Sequence, residues 1–464
     1  MSKRFYDAVV ADAADAVIAA AIHDLLRGEP SIMIGESKHH VVVVAAPAGA
    51  GKSYFCGTVV EELCAAHPRV GALALVCSPT NDQAWDLAAN LARRLPHERI
   101  ALMPASSKTP PEALTTLPNV EVVKAEDAAG ERIVVATLDK TADAHGRGSL
   151  TAHFKYLLMD EAYQGSSAQY YCVAALADRH LLVGDPGQIM PFTTMPDPDR
   201  WRGLLEDPVS SAVTVLLRHH PRVPYRLPIT RRLPPSAVPV CASFYPDHRF
   251  GAWVTESARR LELAAGHKRG HRAVIDQVAD LAASTGWAWV RLPERAVLSA
   301  DPDSIQVIAD VVTGLLDRSP NVSCERVPKA GPLQHDRIAI SVSHNDQKDL
   351  LRVHFDDLGL ADVRIDTANK LQGLEFDLTV AWHPLAGLSE TDRFHLEPGR
   401  MCVMTTRHRH ACIVVGRKSD ADLLDGVPPA ADAWGDGEMD PEVEGWFAHR
   451  ATFDQLERVA VDIV

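Results

Sequence analysis

The sequence predicts an α/β protein made of two doubly wound parallel-sheet domains, and three observations lead to this fold class. Short apolar segments alternate with amphipathic helical segments in both halves of the chain. Several apolar segments are continuous, as in Val41-Val-Val-Val44, which suits parallel strands covered on both faces. The chain has 464 residues, more than one ordinary hydrophobic core supports.

Domain boundaries are predicted from changes in composition. A proline-rich segment at 186–200 indicates that the first domain closes near residue 200. Aromatic residues near the C-terminus indicate that part of the acidic tail is docked, namely Trp434, Trp446 and Phe447. We therefore expect a first domain over residues 1–200, a second over 201–418, and a partly docked acidic tail over 419–464.

The first half is predicted to begin with an Ala-rich amphipathic helix at 7–27. Further helices are predicted at 52–66 and 81–95. Apolar runs rich in β-branched residues predict strands at 41–46, 72–78, 132–137, 156–160 and 180–184. The Pro-, Thr- and acid-rich residues 103–131 are predicted to form a surface excursion.

The second half repeats the alternation of strands and helices. Strands are predicted at 286–291, 337–342, 362–366, 378–382 and 411–415. Helices are predicted at 302–317, 345–358 and 398–409. This series predicts a second parallel sheet, because strands separated by helices pair in parallel.

Charge and cysteine content limit the possible classes of protein. The net charge is −14, but residues 419–464 carry −10 of it, which leaves −4 for residues 1–418. A nearly neutral body can still carry a basic groove, so nucleic-acid binding is not excluded. The eight cysteines show no C-x-x-C pair, which indicates reduced thiols in a cytoplasmic protein. No apolar run has the length of a membrane span, so we expect no membrane association.

The predicted strand at 41–46 leads directly into a glycine-rich segment, Ala46-Pro-Ala-Gly-Ala-Gly-Lys-Ser53. Such a loop points backbone N–H groups at phosphate oxygens, a lysine reaches the β- and γ-phosphates, and a serine hydroxyl holds Mg²⁺. Ala46 stands where the usual pattern begins with glycine. We expect a nucleoside triphosphate, with ATP as the best choice, to be bound by Pro47, Gly49, Ala50, Gly51, Lys52 and Ser53.

Polar residues follow several other predicted strands, where a parallel sheet binds its ligands. Asp160 and Glu161 come directly after one apolar strand, and Gln188 follows the next in Gly184-Asp-Pro-Gly-Gln188. Asp160 is expected to hold Mg²⁺ together with Ser53, and Glu161 is expected to activate the attacking water. Gln188 is expected to contact the γ-phosphate.

The order of these motifs resembles superfamily 1 helicases, in particular the branch that contains the nonsense-mediated-decay helicase, and next the RecD-like helicases. The box Asp160-Glu-Ala-Tyr-Gln164 and the Gly-Asp-Pro-x-Gln segment carry the resemblance in the first half. In the second half it is carried by Leu227-Pro-Ile-Thr-Arg-Arg-Leu-Pro-Pro235, Ile338–Gln347, Asp366–Glu375 and Thr405-Thr-Arg-His-Arg409. The resemblance implies two RecA-like domains with an ATP cleft between them.

The family resemblance also implies roles for residues of the second half. Arg232 and Arg407 would reach the γ-phosphate across the cleft, and Gly373 and Glu375 would lie against the nucleotide. The threonines that would hydrogen-bond the phosphates of a single strand are Thr80, Thr137 and Thr367. Contacts of that kind position a strand without reading its sequence.

Two departures concern the nucleotide base. The upstream glutamine that reads adenine in the family has no counterpart, because residues 1–40 contain no glutamine. Arg231 replaces the aromatic residue that stacks on adenine, and its planar guanidinium could stack there instead. The carboxylates for metal and water are present, so hydrolysis is expected to be retained.

The predicted function is a superfamily 1 ATP hydrolase that translocates on nucleic acid by tracking a single strand, with unwinding of a duplex left open. The resemblance implies 5′→3′ movement, and DNA is favoured over RNA as the partner. Alternatives are an ATP-gated binding or remodelling subunit without unwinding, with a nuclease or larger complex as protein partner, and an unrelated P-loop ATPase. The acidic tail suggests a further hypothesis, a strand mimic that covers the nucleic-acid groove.

Overall fold

The computed structural model describes residues 6–463, except for 192, 194, 202–203, 205–206, 268, 427–432, 435–437 and 440. Two compact units are present. The N-terminal unit comprises residues 12–186 and 190–228, and the C-terminal unit comprises residues up to 11, 187–189 and 229 onwards. None of the helices in these described residues is long and apolar enough to cross a membrane.

The N-terminal unit contains nine strands and seven helices among its described residues. The strands are β1 (Ile32–Ile34), β2 (Ser37–Ala45), β3 (Ala74–Ser78), β4 (Ile100–Met103), β5 (Val120–Val122), β6 (Ile133–Thr137), β7 (Phe154–Met159), β8 (Ala177–Gly184) and β9 (Tyr225–Arg226). The helices are α1 (Ala8–Arg27), α2 (Lys52–Ala66), α3 (Asn81–Arg94), α4 (Glu112–Thr115), α5 (Leu138–Gly146), α6 (Ser167–Ala174) and α7 (Ala212–His219).

One sheet organises this unit, with the order β1-β2-β8-β7-β3-β6-β4-β5 and with β9 also paired to β2. All these pairings are parallel except β1 with β2. Helices cover both faces: α5, α6 and α7 share a hydrophobic core with one face, and α2 and α3 pack on the other. Burial on both faces explains the uninterrupted apolar runs of β2 and β7.

The C-terminal unit contains the remaining elements. Its strands are β10 (Ile229–Thr230), β11 (Gly251–Ala252), β12 (Arg260–Glu262), β13 (Trp287–Leu292), β14 (Asn321–Ser323), β15 (Gly331–Pro332), β16 (Ile338–Val342), β17 (Arg364–Thr367), β18 (Phe376–Trp382), β19 (His408–Arg417), β20 (Ala433–Trp434), β21 (Glu438–Met439) and β22 (Ala460–Asp462). Its helices are α8 (Val238–Cys241), α9 (His271–Thr285), α10 (Pro302–Leu316), α11 (Asn345–Asp357), α12 (Ala368–Leu371), α13 (Arg393–Leu396), α14 (Pro398–Thr405), α15 (Ser419–Gly426) and α16 (Pro441–Leu456).

Its main sheet is entirely parallel, with the order β17-β16-β18-β19-β13-β22. Helices α9, α10 and α11 share a core with one face, and α14 and α16 pack on the other. A separate three-stranded sheet is formed by β12, β14 and β15. The predicted fold class, two doubly wound parallel sheets, is confirmed, while a nucleotide cleft between the units stays a prediction.

The division between the units differs from the boundary predicted near residue 200. Residues 190–228, apart from those not described, group with the N-terminal unit. One reason is that β9 pairs with β2 beside Val44 and Ala45. The chain therefore returns to the first sheet at β9 before it enters the C-terminal unit at residue 229.

The segment 103–131 is only partly the predicted surface excursion. Strand β5 lies inside it and pairs with β4 at the edge of the sheet. Val123, Ala125 and Ala128 are buried in the core of the unit. These contacts involve short segments with little apolar periodicity, which gave no strand signal.

The predicted acidic tail is largely part of the second domain. Strand β22 pairs in parallel with β13 at the edge of the main sheet. Helix α16 packs on this sheet, where Phe453 stacks on Trp289 with ring centroids 5.1 Å apart. Trp446 donates its indole N–H to the carbonyl of Leu424 at 2.8 Å. A segment that packs on the sheet in this way gives no support to the strand-mimic hypothesis. The side chain of Trp434 lies outside the described residues.

Candidate active site

The glycine-rich loop begins at the carboxyl end of β2, which pairs in parallel with β8. The amide of Ala46 donates to the carbonyl of Gly184 at 2.8 Å, so the start of the loop continues the pairing with β8. The Ala46 side chain is fully buried, so alanine is accommodated where the usual pattern has glycine. Gly49 and Gly51 have φ values of 74° and 94°, which other L-residues rarely adopt. Glycine is thus required at these turns.

Helix α2 starts at Lys52, immediately after the loop. Its N-cap residue is Gly51, which provides no side chain to cap the first amides. Amides at a helix N-terminus without such a cap are available to an anion, and the helix dipole favours negative charge there. Ser53 is exposed in the first turn, and its hydroxyl is one oxygen donor suited to Mg²⁺. The loop and the helix start therefore form a fitting cradle for phosphate.

Three acidic side chains converge near Lys52. Strands β7 and β8 lie next to β2 in the order β2-β8-β7, so their carboxyl ends meet the loop at one sheet edge. Lys52 Nζ lies 3.4 Å from a carboxylate oxygen of Glu161 and 3.8 Å from one of Asp185. Asp160 follows β7 and accepts a hydrogen bond from the Glu161 amide at 3.0 Å. All three acidic residues are buried.

The backbone after β7 is unusual. Glu161 has φ of 53°, a left-handed conformation that a non-glycine residue rarely adopts. The turn packs closely on β8: a Cβ at Gly184 would lie 2.9 Å from the backbone nitrogens of Ala162 and Tyr163. Strain of this kind costs about 1–3 kcal/mol and concentrates at functional sites. The turn is therefore consistent with a residue held for chemistry.

Burial raises the pKa of Asp160 to about 7, the negative charge of Glu161 adds to the rise, and Lys52 opposes it. The same acidic pair, after burial itself, contributes to raising the pKa of the Cys56 thiol on α2. Three buried carboxylates around one lysine leave an excess of negative charge, which a divalent cation would neutralise. The donor set of Asp160 and Ser53 consists of hard oxygens and fits Mg²⁺, whose other ligands are commonly phosphates and water.

The N-terminal unit also contains Thr80 and Thr137, both predicted to bind nucleic acid. Thr80 caps α3 and accepts from the amide of Gln83 at 3.4 Å. Thr137 caps α5 and accepts from the amide of Lys140 at 3.2 Å. Capping explains why threonine stands at the end of each strand. Any contact with nucleic acid is an additional role and stays a prediction.

Gln188 groups with the C-terminal unit. Its side-chain oxygen accepts a hydrogen bond from the Gln372 amide at 2.6 Å. Helix α14 also approaches it, because a Cβ at Gly399 would lie 2.5 Å from the Gln188 carbonyl. The side chain is buried. Gln188 is therefore held by the segment that contains Gly373 and Glu375.

Arg407 has the most unusual environment of the predicted arginines. Only 1% of its surface is exposed. One guanidinium nitrogen donates to the Thr406 hydroxyl at 2.7 Å. Within the described residues, its Nε and Nη1 atoms have no hydrogen-bond partner. A buried cation with unsatisfied donors is unfavourable unless an anion completes it.

Arg232 contacts Thr406, the residue that precedes Arg407 in the chain. It donates to the carbonyls of Thr406 and Gly373, each at 3.3 Å. Its Nε lies 3.6 Å from a Glu375 oxygen. Arg232 thus links the segment of Arg407 with that of Gly373 and Glu375, and the roles predicted for these residues stay predictions.

Glu375 is shared among several arginines. It contacts Arg409 at 3.0 Å and Arg326 at 3.4 Å in addition to Arg232. Burial alone would raise its pKa, but the charges of Arg232, Arg409 and Arg326 outweigh burial and lower it. Glu375 is therefore ionised and organises the arginine cluster, a role that its predicted nucleotide contact did not include.

Arg231 and Thr367 complete the predicted set. The Arg231 guanidinium lies over the Trp253 ring, 4.9 Å from its centroid. Thr367 is the N-cap residue of α12, without a side-chain capping bond. The structure thus places the loop, Asp160 and Glu161 in one unit, and Gln188 with the arginines in the other.

Sequence reasoning missed several residues of both clusters. Asp185 lies inside the Gly-Asp-Pro-x-Gln segment, so its position at a strand end was a usable signal. Gln372 precedes the predicted Gly373 and was equally visible. Arg259 and Glu325, which adjoin the arginine cluster, belong to no motif and carried no signal.

Comparisons with known proteins give the following similarities. No family model matches the chain, and no curated protein matches it. The chain is similar to the solved structure of the PRRSV helicase, with 14% identity, a TM-score of 0.40, and coverage of 87% of this chain and 54% of that one. It therefore spans about half the length of that helicase.

Two further solved structures are similar over nearly the whole chain. S. cerevisiae Dbp5 L327V bound to RNA and ADP BeF3 has 11% identity, a TM-score of 0.41, and coverage of 99% of this chain and 94% of that one. The DUF1998 helicase MrfA bound to DNA and AMPPNP has 11% identity, a TM-score of 0.42, and coverage of 98% of this chain and 57% of that one.

Proposed function

We propose that this chain is an ATP-hydrolysing motor of the superfamily 1 type that moves on single-stranded nucleic acid. The observation that carries the proposal is the meeting of Lys52, Asp160, Glu161 and Asp185 at the end of the glycine-rich loop. A lysine, a metal-binding carboxylate and a base-like carboxylate beside a phosphate cradle are the parts that phosphoryl transfer needs. The motif order along the chain supports the same proposal.

Each residue of this cluster has a proposed task. The loop amides and Lys52 bind the β- and γ-phosphates, while Ser53 and Asp160 hold Mg²⁺, which neutralises developing negative charge. Glu161 accepts the proton of the attacking water, so it must be ionised while Asp160 ligates the metal. Asp185 keeps Lys52 oriented towards the phosphates when Glu161 is engaged with water.

The arginines are proposed to stabilise the transferring phosphoryl group. Two guanidinium nitrogens of Arg407 have no hydrogen-bond partner in the part of the chain that the structure describes, and phosphate oxygens would satisfy them. Arg232 joins it through Thr406 and Gly373. Arginines in this role raise the rate by about 10³–10⁵-fold in related reactions. Gln188 contacts the γ-phosphate, and its hydrogen bond with Gln372 transmits the presence of that phosphate to the Gln372 segment.

Selection of the nucleotide base is proposed to be weak. The adenine-reading glutamine is absent from residues 1–40. Arg231 would offer its guanidinium plane to the base, and Trp253 beneath it would keep that plane oriented. ATP is the proposed nucleotide, with some acceptance of other triphosphates.

Thr80, Thr137 and Thr367 are proposed to contact the phosphates of a single strand at the carboxyl edges of the two sheets. Thr80 is exposed, with its hydroxyl donating to the side-chain oxygen of Gln83 at 3.0 Å, and the Thr367 side chain makes no capping bond. DNA is favoured over RNA, movement is 5′→3′, and a nuclease or complex subunit is the proposed protein partner. A strand-displacement assay beside the hydrolysis assay separates an unwinding motor from an ATP-gated remodelling subunit.

The substitution Glu161→Gln tests the proposal. It keeps the size and polarity of the side chain but removes the base, so turnover is expected to be lost while ATP still binds. ATP binding is measured by equilibrium titration, and hydrolysis by phosphate release. Asp127→Asn, which changes an exposed carboxylate of the same unit, serves as the control and should hydrolyse normally. Near-normal turnover in the Glu161→Gln protein would refute the role of Glu161.

A further inference from the structure

Arg259 lies at the centre of a hydrogen-bond network beside the arginine cluster. It is buried, and its guanidinium donates to three backbone carbonyls of two separate segments. These carbonyls belong to Arg231 at 2.8 Å, to Arg232, and to Arg409 at 3.3 Å. One side chain therefore bridges the segment that carries Arg232 and the segment that carries Arg407.

Glu325 balances the charge of Arg259. The two side chains form a double contact, with Nε to Oε2 at 3.0 Å and Nη2 to Oε1 at 3.1 Å. Glu325 also accepts from Arg409 at 2.6 Å. Paired, planar contacts of this kind are geometrically specific, because the guanidinium fork matches the carboxylate. The pair is thus a rigid unit.

The small sheet of β12, β14 and β15 places this pair. Arg259 directly precedes β12, and Glu325 follows β14 by two residues. The two strands are antiparallel, with Arg260 opposite Ser323, so both side chains emerge at the same end of the sheet. The sheet stands apart from the main parallel sheet. Its position brings Arg259 and Glu325 together beside the arginine cluster.

We propose that Arg259 is a positioning residue that, fixed by Glu325, sets the distance between the Arg232 and Arg407 segments before ATP arrives. The proposal rests on the function proposed above. Arg407 lies two residues from Arg409, and Arg232 itself bonds the carbonyl of Thr406, so both arginines lie within the bridged region. Pre-organised charge stabilises a transition state better than charge that must be rearranged during the reaction.

Arginine is required for this bridge. Its guanidinium has five N–H donors in one plane, and here it serves three carbonyls and two carboxylate oxygens. Lysine would retain the positive charge beside Glu325 but has three donors on a single nitrogen. Arg259→Lys therefore separates the bridging geometry from the charge.

The test compares Arg259→Lys with a matched control in the same unit. Arg318 is also buried, and it donates to the carbonyls of Ala264 and Asp276 and to the Asp280 carboxylate, but it does not contact the arginine segments. Steady-state hydrolysis gives kcat and the KM for ATP for each protein. Thermal unfolding and hydrogen exchange of residues 229–234 and 405–410 report on folding and local order.

In the Arg259→Lys protein we expect kcat to fall by about 100-fold, the effect of misplacing catalytic groups by roughly 1 Å. The KM for ATP should change less than about twofold, because the phosphate loop is untouched. Exchange should rise in both bridged segments. Arg318→Lys should leave kcat and this exchange unchanged, even if its unfolding temperature falls.

Glu325→Gln provides a second variant, which keeps the shape but removes the neutralising charge, and it should show the same kcat-selective loss. Equal kcat in the Arg259→Lys and wild-type proteins would overturn the proposal. A wild-type protein that hydrolyses no ATP would overturn the proposed function instead. Even then, unchanged hydrogen exchange of residues 229–234 and 405–410 in the Arg259→Lys protein would overturn the proposal that Arg259 bridges these two segments.

Discussion

Replacing Asp160 by asparagine should stabilise the ATP-free N-terminal unit while it destroys the metal site. Asp160 is 5% exposed, and its pKa is raised to about 7, first by burial and then by the charge of Glu161. A carboxyl whose pKa is raised by folding stabilises the folded state fully below its unfolded pKa. That contribution is lost as pH rises through the folded pKa.

The size of the effect follows from the pKa. A rise from 3.8 to about 7 corresponds to about 4 kcal/mol of destabilisation above pH 7, since each pKa unit is worth about 1.4 kcal/mol. Asparagine carries no charge but retains the oxygen that accepts from the Glu161 amide at 3.0 Å. The variant should therefore exceed the wild type in stability at pH 8 by up to about 4 kcal/mol, and the difference should shrink towards pH 4.

The assay is urea unfolding read by pulsed hydrogen exchange of peptides from β7, which reports on the N-terminal unit alone. It is run from pH 4 to pH 9, without and with ATP and Mg²⁺. Ligand should stabilise the wild type and leave the Asp160→Asn protein nearly unchanged. Asp127→Asn, at an exposed site, should follow the wild type throughout. If Asp160→Asn is equally or less stable than the wild type at pH 8, the reasoning about the buried carboxylate pair is refuted.

Two further predictions concern the C-terminal unit. Arg407→Met should lower kcat by about 10³-fold. It should not lower the unfolding temperature, because it removes a buried cation whose Nε and Nη1 have no partner among the described residues. A large loss of stability with normal kcat would contradict this prediction. The matched change Arg417→Met should destabilise the fold instead, since Arg417 forms an ion pair with Asp301 at 2.5 Å. Removing residues 441–464 should unfold the C-terminal unit, because β22 belongs to its sheet. Calorimetry should then show no unfolding transition for that unit. A stable truncated protein with increased nucleic-acid affinity would instead support the strand-mimic hypothesis.

The predictable part of this structure is where residue type and local sequence agree. The β-branched run Val41–Val44 predicts a strand buried on both faces, and the glycines after it mark turns with positive φ. Once the strands alternate with helices, Asp160 and Glu161 must lie at the ligand-binding edge, although their contact with Asp185 depends on the strand order. Local sequence patterns thus identified Lys52, Asp160 and Glu161 of the cluster around the phosphate loop, whereas Asp185 was missed.

The remainder depends on contacts between distant segments. Strands β12, β14 and β15 have two or three residues each, which is too short for any periodic signal. Arg259 and Glu325 are 66 residues apart, and their pairing follows from the register of that small sheet. The stacking of Phe453 on Trp289 likewise joins the C-terminal helix to the sheet, where composition indicated only an acidic tail.

The most direct measurement of the central claim is the rate of ATP hydrolysis with single-stranded DNA, single-stranded RNA, duplex DNA or no nucleic acid, each over a range of salt concentrations. A motor that tracks a single strand should hydrolyse ATP several-fold faster with single strands than with duplex or none. The stimulation should decline steeply with salt, because backbone contacts release counterions. Hydrolysis that is indifferent to every nucleic acid would contradict the motor and favour an unrelated P-loop ATPase.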